Sequence, residues 1–294
     1  MGTKIDYEII DIDGKKDLMF CGDIHGLFSE FVHRIVDELK LENLNVVVCG
    51  DFGVGFYKEG YYKELFGKLG KKLKKRDITI YALRGNHDNP EYFNNKEIRE
   101  RVMDKCKGRI VLVSDYSVLR GVRDDESGVE EYNNILCIGG ARSIDKMHRM
   151  KWDFHSGKMV YDGWWDGEMI NDIPDGWKEW LDGEGIRDIN WVCSHSSPDF
   201  CEPLCKRGLE FWSMRDENLI EECERERKLL SDIYKKLKDW GYSVKNWMYG
   251  HFHNSYILID GNNDVLFRGL DMFGGDKRDD FYFHNNGDGF ALFN

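Results

Sequence analysis

The sequence lacks any apolar run that approaches the roughly 20 residues needed by a membrane-spanning helix. Its first six residues lack the apolar core of a signal peptide, and Asp6 stands where a myristoylation signal has Ser or Thr. Internal repeats, low-complexity tracts and Pro- or Ser-rich linkers are also missing. We therefore predict a soluble, cytoplasmic protein that folds as one domain over residues 1–294, with an inserted helical segment at about 199–241.

The chain has fewer basic than acidic residues. The chain has 42 Lys and Arg residues against 54 Asp and Glu residues, a formal net charge of −12. This balance argues against non-specific nucleic-acid binding, which depends on clustered basic side chains. It does not exclude a substrate that carries phosphate, because bound metal ions can reverse the sign of the local charge. The eight cysteines are scattered, as is typical of reduced, buried thiols in a cytosolic protein.

The first third of the chain alternates between apolar runs and helical patterns. Strands are predicted at Asp17–Cys21, Val46–Cys49 and Ile78–Ala82, and each is followed by a turn rich in Gly and Asp. Helical spacing of apolar residues lies between them, at about 28–39 and Tyr61–Lys75. The order β-α-β-α-β predicts a parallel sheet with helices on its faces, an α/β fold.

The rest of the chain is less regular. We predict a charged turn at Arg123–Glu126 and a long amphipathic helix at about Asp216–Trp240, with Ile220 among its inward residues. A hairpin turn is expected at Gly261-Asn262. Further strands are predicted at Arg109–Val113, Ile135–Gly139, Ile189–Cys193, Lys245–Tyr249 and Phe290–Phe293.

Polar side chains follow five of these strands at the point where each strand ends. Turns between parallel strands and their helices lie together at the carboxyl edge of a sheet, so we expect these side chains to converge. Carboxylate, imidazole and amide ligands without a thiolate favour Mn²⁺, Fe or Zn²⁺, and the set is too large for one ion. The residues are Asp23-x-His25, Asp51, Asn86-His87, His195 and His251-x-His253.

With these motifs the chain resembles the calcineurin-like metallophosphoesterases. The family's ordered motifs are Asp-x-His, Gly-Asp, Gly-Asn-His-Asp/Glu, His and Gly-His-x-His, and all occur here in order between residues 22 and 253. The resemblance implies two stacked mixed sheets flanked by helices, a four-layer α/β/β/α sandwich. It also implies a single metallophosphoesterase domain that binds two divalent metal ions, with Mn²⁺ preferred over Fe or Zn²⁺.

By the same resemblance, Asp51 bridges the two metals. One metal would be held by Asp23, His25, Asp51 and His253, and the other by Asp51, Asn86, His195 and His251. Two ions about 4 Å apart can share a hydroxide and polarise phosphoryl oxygens, which implies hydrolysis of a phosphodiester or phosphomonoester. His87 would assist the leaving group, but the sequence does not name a residue that orients it.

Several alternatives stay open. Protein phosphatases of this family carry Asp and Arg where Val54 and Gly55 stand, so that substrate class is disfavoured. A catalytically silent scaffold or binding protein would lack ligands that are present here. The partner expected is a phosphate-ester substrate, with a nucleotide as one candidate. Arg142 is a candidate substrate-binding residue, Asp88 a candidate turn cap, and the tryptophans at 152–180 either stack on a base or pack their own segment.

Overall fold

The computed structural model describes residues 5–125, 128–131, 133–155, 158–274, 281–284 and 290–293. The strands are β1 Ile9–Asp13, β2 Asp17–Cys21, β3 Leu44–Val48, β4 Ile78–Ala82, β5 Ile110–Leu112, β6 Val118–Asp125, β7 Gly128–Glu131, β8 Ile135–Ile138, β9 Met150–Asp153, β10 Lys158–Tyr161, β11 Trp191–Ser194, β12 Asn246–Tyr249, β13 Tyr256–Asp260, β14 Val265–Gly269, β15 Phe281–His284 and β16 Phe290–Phe293. The α-helices are α1 Phe28–His33, α2 Glu59–Lys75, α3 Pro90–Asn94, α4 Lys96–Met103, α5 Trp177–Gly183, α6 Leu209–Ser213 and α7 Leu219–Asp239.

The first sheet contains the parallel core predicted from the sequence. Its order is β16-β15-β2-β3-β4-β5, and β2 to β5 are parallel while β15 runs antiparallel to β2. Every residue of β3 and β4 is buried, as expected of parallel strands that are covered on both faces.

The second sheet has the order β1-β6-β8-β11-β12-β14-β13, with β7 paired to β6. Strands β8, β11, β12 and β14 are parallel, and β13 and β14 form the predicted hairpin. The predicted charged turn at Arg123–Glu126 is wrong for the part that is described. Residues 123–125 continue β6 and pair with β7, because hydrogen bonds to a neighbouring strand outweigh the local turn composition; Glu126 lies outside the described residues.

The two sheets pack face to face around a shared apolar layer. Phe20 of the first sheet stacks on Trp191 of the second, with ring centroids 5.2 Å apart. Helices α1 to α4 cover the outer face of the first sheet, and α5 and α7 cover that of the second. The four-layer sandwich implied by the resemblance is therefore confirmed. None of the helices in the described ranges has both the length and the apolar character needed to cross a membrane.

Helix α7 begins three residues after the predicted start. Leu219 takes the first inward position, followed by Leu230, Ile233 and Leu237, so Ile220 points outward and is 40% exposed, contrary to the prediction. Two inward positions of this helix are charged, Glu226 and Arg227. That the segment 199–241 is an insertion stays a prediction.

Candidate metal centre

The polar turns meet at one edge of the sandwich. Strands β2, β3 and β4 are neighbours in the first sheet, and β11 and β12 are neighbours in the second. The turns after them carry Asp23, His25, Asp51, Asn86, His87, His195, His251 and His253. The convergence expected from the alternation of strands and helices is present.

Four of these residues form a compact set that could hold a metal ion. One ligand atom from each of Asp23, His25, Asp51 and His253 lies within 4.8 Å of the others. The Nε2 atom of His253 is 3.0 Å from Oδ2 of Asp23 and 3.0 Å from Nε2 of His25. This set is the one that the resemblance implies for the first metal.

In both Asp23 and Asp51, one carboxylate oxygen accepts a hydrogen bond from the backbone and the other does not. Oδ1 of Asp23 accepts a hydrogen bond from the N–H of His251 (2.8 Å), and Oδ1 of Asp51 accepts one from the N–H of His87 (2.7 Å). The Oδ2 atoms of both residues are buried and accept no backbone hydrogen bond from the described residues; beside them lie imidazole nitrogens, Nε2 of His253 at 3.0 Å from Asp23 and Nδ1 of His25 at 3.8 Å from Asp51. Buried carboxylate oxygens without backbone donors are costly, and a cation between them removes that cost. The donor set therefore fits a divalent metal ion.

Burial by itself would raise the pKa of Asp51. The neighbouring imidazoles of His195 and His87 outweigh it and hold the pKa of this carboxyl well below its usual range. Burial also acts to raise the pKa of Asp23, and His195 and His253 lower it on balance. Both groups are therefore ionised and suited to a cation.

The residues of the second predicted set are only partly brought together. Nε2 of His195 lies 3.0 Å from Oδ1 of Asn86 and 3.3 Å from Oδ1 of Asp51. The Nδ1–H of His195 donates to the carbonyl of Cys49 (2.8 Å), which turns the Nε2 atom towards the cluster. The ring of His251 lies 4.9 Å from that of His195, but its Nδ1 is 3.2 Å from Nζ of Lys206.

The turns that carry these ligands are strained. His25, Asp51, His251 and His253 all have positive φ, between 45° and 68°, which non-glycine residues seldom adopt. Backbone strain of this kind costs about 1–3 kcal/mol per residue and is concentrated at functional sites. At Gly85 a Cβ atom would lie 2.1 Å from Oδ1 of Asp51, so only glycine allows the two turns to approach.

His87 lies beside the cluster, under the guanidinium of Arg149. The Nη2 atom of Arg149 is 3.0 Å from both ring nitrogens of His87. An atom at that distance from both nitrogens and in the ring plane would collide with the carbon between them, so Nη2 lies over the ring face. Asp145 binds the guanidinium at 2.9–3.0 Å, and the carbonyl of Gly163 accepts from Nη1 at 2.7 Å. Both nitrogens of His87 therefore keep their in-plane directions.

A family model for calcineurin-like phosphoesterases matches residues 17–269 of the chain. The chain belongs to the calcineurin-like phosphoesterase family. No curated protein matches it at a significant level. Among solved structures, TT1561 of Thermus thermophilus aligns with a TM-score of 0.46 at 8% identity, covering 95% of this chain and 98% of its own. Another crystal structure aligns with a TM-score of 0.49 at 10% identity, covering 94% of this chain and 98% of its own.

In this family member the acidic residue of the Gly-Asn-His-Asp motif holds two turns together. The carboxylate of Asp88 is fully buried and accepts four backbone hydrogen bonds of 2.7–2.9 Å, two at each oxygen. The donors are the N–H groups of Phe52, Gly53, Val54 and Gly85. Asp88 therefore does more than cap its own turn: it ties the turn of Asp51 to that of Asn86.

The guanidinium of Arg142, the predicted substrate-binding residue, is surrounded by acidic side chains. Its side chain is 3% exposed, and its guanidinium binds the carboxylates of Glu168, Asp216 and Glu222 at 2.5–3.2 Å. A guanidinium with three acidic partners has little left to offer a phosphate. That Arg142 contacts the substrate stays a prediction; in the structure it ties its own turn to α7 and to Asp216 before that helix.

Sequence reasoning missed two cations beside the predicted ligands, Arg149 and Lys206. Both lie in segments without clear periodicity, so no pattern marked them as site residues. Burial lowers the pKa of the Lys206 ammonium, and the Asp51 and Asp23 carboxylates act against that effect. The sequence carried only a weak signal for Arg149, its position soon after the glycine pair that ends β8.

The tryptophan-rich segment is largely a packing segment. Trp177 is fully buried, and its indole N–H donates to the carbonyl of Tyr116 (2.8 Å). Trp165 packs edge-on against Phe56. Trp152 lies on β9 and is 50% exposed. The sequence left open whether these tryptophans stack on a base or pack their own segment, and Trp165 and Trp177 pack.

Proposed function

We propose that this chain is a dinuclear-metal-dependent phosphoesterase that hydrolyses a phosphodiester or a phosphomonoester. The observation that carries the proposal is the pair of buried Oδ2 atoms of Asp23 and Asp51. No backbone group among the described residues donates to them, and two imidazoles stand beside them, with Nε2 of His253 3.0 Å from Oδ2 of Asp23. A cluster of this composition is costly without cations. Family membership supports the same reading.

In this proposal the chain's own residues divide into two ligand sets that share Asp51. Asp23, His25, Asp51 and His253 hold one ion, and Asp51, Asn86, His195 and His251 hold the other. When bound, divalent ions supply Lewis-acid activation of water and of the phosphoryl oxygens. We propose Mn²⁺ as the metal, with Fe or Zn²⁺ as the alternatives, because the ligands are hard or borderline and no thiolate takes part.

In this proposal His87 donates a hydrogen bond to the leaving group. Burial lowers the pKa of His87 to about 4, and the nearby charge of Arg149 acts in the same direction, against the Asp51 carboxylate. A neutral imidazole of this kind keeps one ring N–H that can donate to the departing oxygen. Arg149 covers the ring face and fixes its plane, so this contact is made at the ring edge.

The proposal is tested by hydrolysis of an activated aryl phosphodiester beside the matching phosphomonoester. Metal-stripped protein is assayed before and after Mn²⁺ is added, and metal-dependent turnover of either ester is expected. Asp51→Asn should abolish turnover, and His87→Ala should lower kcat by about 10²–10⁴-fold, while His155→Ala, an exposed histidine outside the motifs, keeps it. Undiminished activity in either site variant would refute the assignment.

The two esters also separate the remaining alternatives. Hydrolysis of the diester indicates phosphodiesterase activity, and hydrolysis of the monoester alone indicates a nucleotide or phosphoprotein substrate. Metal binding without turnover of either ester would favour the silent scaffold. We place the protein in the cytoplasm as part of the same proposal, on the residue composition alone.

A further inference from the structure

The ammonium group of Lys206 lies against the candidate metal centre. Its Nζ atom is 3.2 Å from Nδ1 of His251, a residue of the second proposed ligand set. The carboxylates of Asp51 and Asp23 lie within electrostatic reach of it. Lys206 and His251 also line a cavity of about 680 Å³, so a ligand that enters beside the cluster can contact both side chains. A half-buried positive charge therefore stands at the edge of the centre.

This charge is not neutralised by a neighbouring carboxylate. In the part of the chain that the structure describes, Nδ1 of His251 is the one acceptor within hydrogen-bond distance of the Lys206 ammonium, and no carboxylate forms an ion pair with it. The other two cations of this region differ, because Asp145 binds the guanidinium of Arg149 and three carboxylates bind that of Arg142. Lys206 is therefore the cation that is left to attract an anion.

Metal binding by His251 removes the acceptor that Lys206 has here. A neutral imidazole has one nitrogen with a free electron pair, and its other nitrogen carries a proton. If Nδ1 of His251 binds the metal, its electron pair is used; if Nε2 binds it, Nδ1 carries the proton and can only donate. In both cases the ammonium of Lys206 loses its acceptor. A half-buried ammonium without an acceptor is costly, so the filled centre calls for a new one beside Lys206.

The loop that carries Lys206 is held in place from α7 and β12. The hydroxyl of Tyr249 donates to the carbonyl of Glu202 (2.6 Å). The guanidinium of Arg227 donates at 2.6–3.3 Å to four carbonyls of the same loop, those of Ser197, Pro198, Cys201 and Pro203. The backbone before Lys206 is thus fixed, and the new acceptor has to lie within reach of the side chain from this position.

We propose that Lys206 binds a terminal oxygen of the substrate's phosphate and thereby favours phosphomonoesters over phosphodiesters. The inference rests on the proposed function, because it takes the cluster as the place where the phosphate binds, and it names the class of ester. Near neutral pH the phosphate of a monoester carries close to two negative charges, whereas that of a diester carries one. An ammonium group attracts the more highly charged anion more strongly.

The experiment compares 4-nitrophenyl phosphate with methyl 4-nitrophenyl phosphate at about pH 8 and saturating Mn²⁺. Both esters release the same phenol, so the ratio of their kcat/KM values reports on the phosphoryl group and not on the leaving group. Lys206→Met should lower the ratio of monoester to diester by about tenfold, the value of one hydrogen bond to a charged group. Lys206→Arg keeps the positive charge and should retain most of the wild-type ratio.

Calorimetric binding of inorganic phosphate gives a measurement that does not depend on turnover. At saturating Mn²⁺ the Kd for phosphate should rise about tenfold in Lys206→Met and much less in Lys206→Arg. The control is Arg207→Met, which removes the next positive charge of the same loop from an exposed position. This variant should keep both the wild-type affinity and the wild-type ester ratio.

The outcomes separate this inference from the proposed function. If the esters are hydrolysed but Lys206→Met leaves the phosphate affinity or the ester ratio unchanged, the inference is overturned and the proposed function stands. If the wild type hydrolyses neither ester, the proposed function fails and phosphate binding alone decides. A loss of affinity in Lys206→Met that is absent from Arg207→Met would then support the role of Lys206. Equal affinities, or no phosphate binding by the wild type, would overturn it.

Discussion

Replacement of Asp88 tests the idea that one carboxylate holds the metal-binding turns in place. Asp88→Ala leaves four backbone N–H groups without their acceptor, namely those of Phe52, Gly53, Val54 and Gly85. A buried donor left unpaired costs about 1–3 kcal/mol. A water molecule in the vacated space can satisfy part of the set, so we expect the free energy of unfolding to fall by about 3–5 kcal/mol.

Asp88→Asn is the more discriminating change. Each oxygen of Asp88 accepts two backbone hydrogen bonds, so an amide keeps two of them and directs its NH₂ group at the other two donors. We therefore expect Asn to lose at least half as much stability as Ala, although it is nearly the same size. A role in packing alone would predict almost no effect.

The assay is urea unfolding of metal-free protein at about pH 8. Burial and the Asp51 carboxylate raise the pKa of Asp88 to about 7, against the lowering effect of the backbone donors, so the group is ionised at that pH. The control Asp264→Asn changes an exposed carboxylate at a positive φ that Asn tolerates, and it should stay within about 0.5 kcal/mol. If Asp88→Asn and Asp88→Ala both stay within about 1 kcal/mol of the wild type at an unchanged m-value, the reasoning is refuted.

Three other predictions follow from the same region. Arg149→Ala should lower kcat on an activated ester by about ten- to a hundredfold with little change in KM. Arg149→Lys should not restore kcat, because the lysine ammonium cannot bind Asp145 with the two parallel hydrogen bonds of a guanidinium. Full activity of the lysine variant would contradict this role of Arg149. Lys206→Met removes a positive ammonium group that lies 3.2 Å from Nδ1 of His251 and would repel a metal ion bound there. Calorimetry should therefore show the weaker of two Mn²⁺ ions binding about tenfold more tightly in the variant, and unchanged affinity would contradict the prediction. Burial raises the pKa of Glu226 from 4.5 to about 7. The folded state therefore keeps a proton that the unfolded chain loses, and this group lowers the free energy of unfolding by about 3 kcal/mol as pH rises from about 4.5 through 7. Asp88, whose pKa is also raised to about 7, contributes a loss of the same sign in both proteins. Urea unfolding at about pH 5 and pH 8 should therefore show a loss that is about 3 kcal/mol smaller in Glu226→Gln than in the wild type, and equal losses would contradict the prediction.

Much of the candidate site could be predicted because its residues are local to strand ends. Asp23, Asp51 and Asn86 each follow an apolar run within a few residues, and the run identifies the strand. Parallel order then brings the turns to one edge without any knowledge of distances. For the same reason the boundaries of β2 and β4 agree with the predicted strands residue by residue.

The two incorrect predictions, the turn at residues 123–126 and the inward position of Ile220, have a common cause. The strand at 118–125 forms because it pairs with β7, and the turn composition of residues 123–125 gives no sign of this. The helical pattern tolerates a shift of one residue and so predicts Ile220 on the inner face, whereas packing selects Leu219. In both places a contact with a neighbouring element decides between conformations that the local sequence leaves nearly equal.

The alternation of strands and helices, the ligand types and the edge at which they meet follow from the order of the residues, because each depends on residues close together in the chain. Which cations stand beside the ligands depends instead on contacts between distant segments. Arg149 covers His87 from the end of a 3₁₀ helix, Lys146–Arg149, and Lys206 reaches His251 from the loop after β11, 62 and 45 residues distant in the chain. The same packing directs Arg142 to carboxylates and buries Glu226 on the inner face of α7. Contacts of that range depend on how the layers pack, and no periodicity in the chain encodes them.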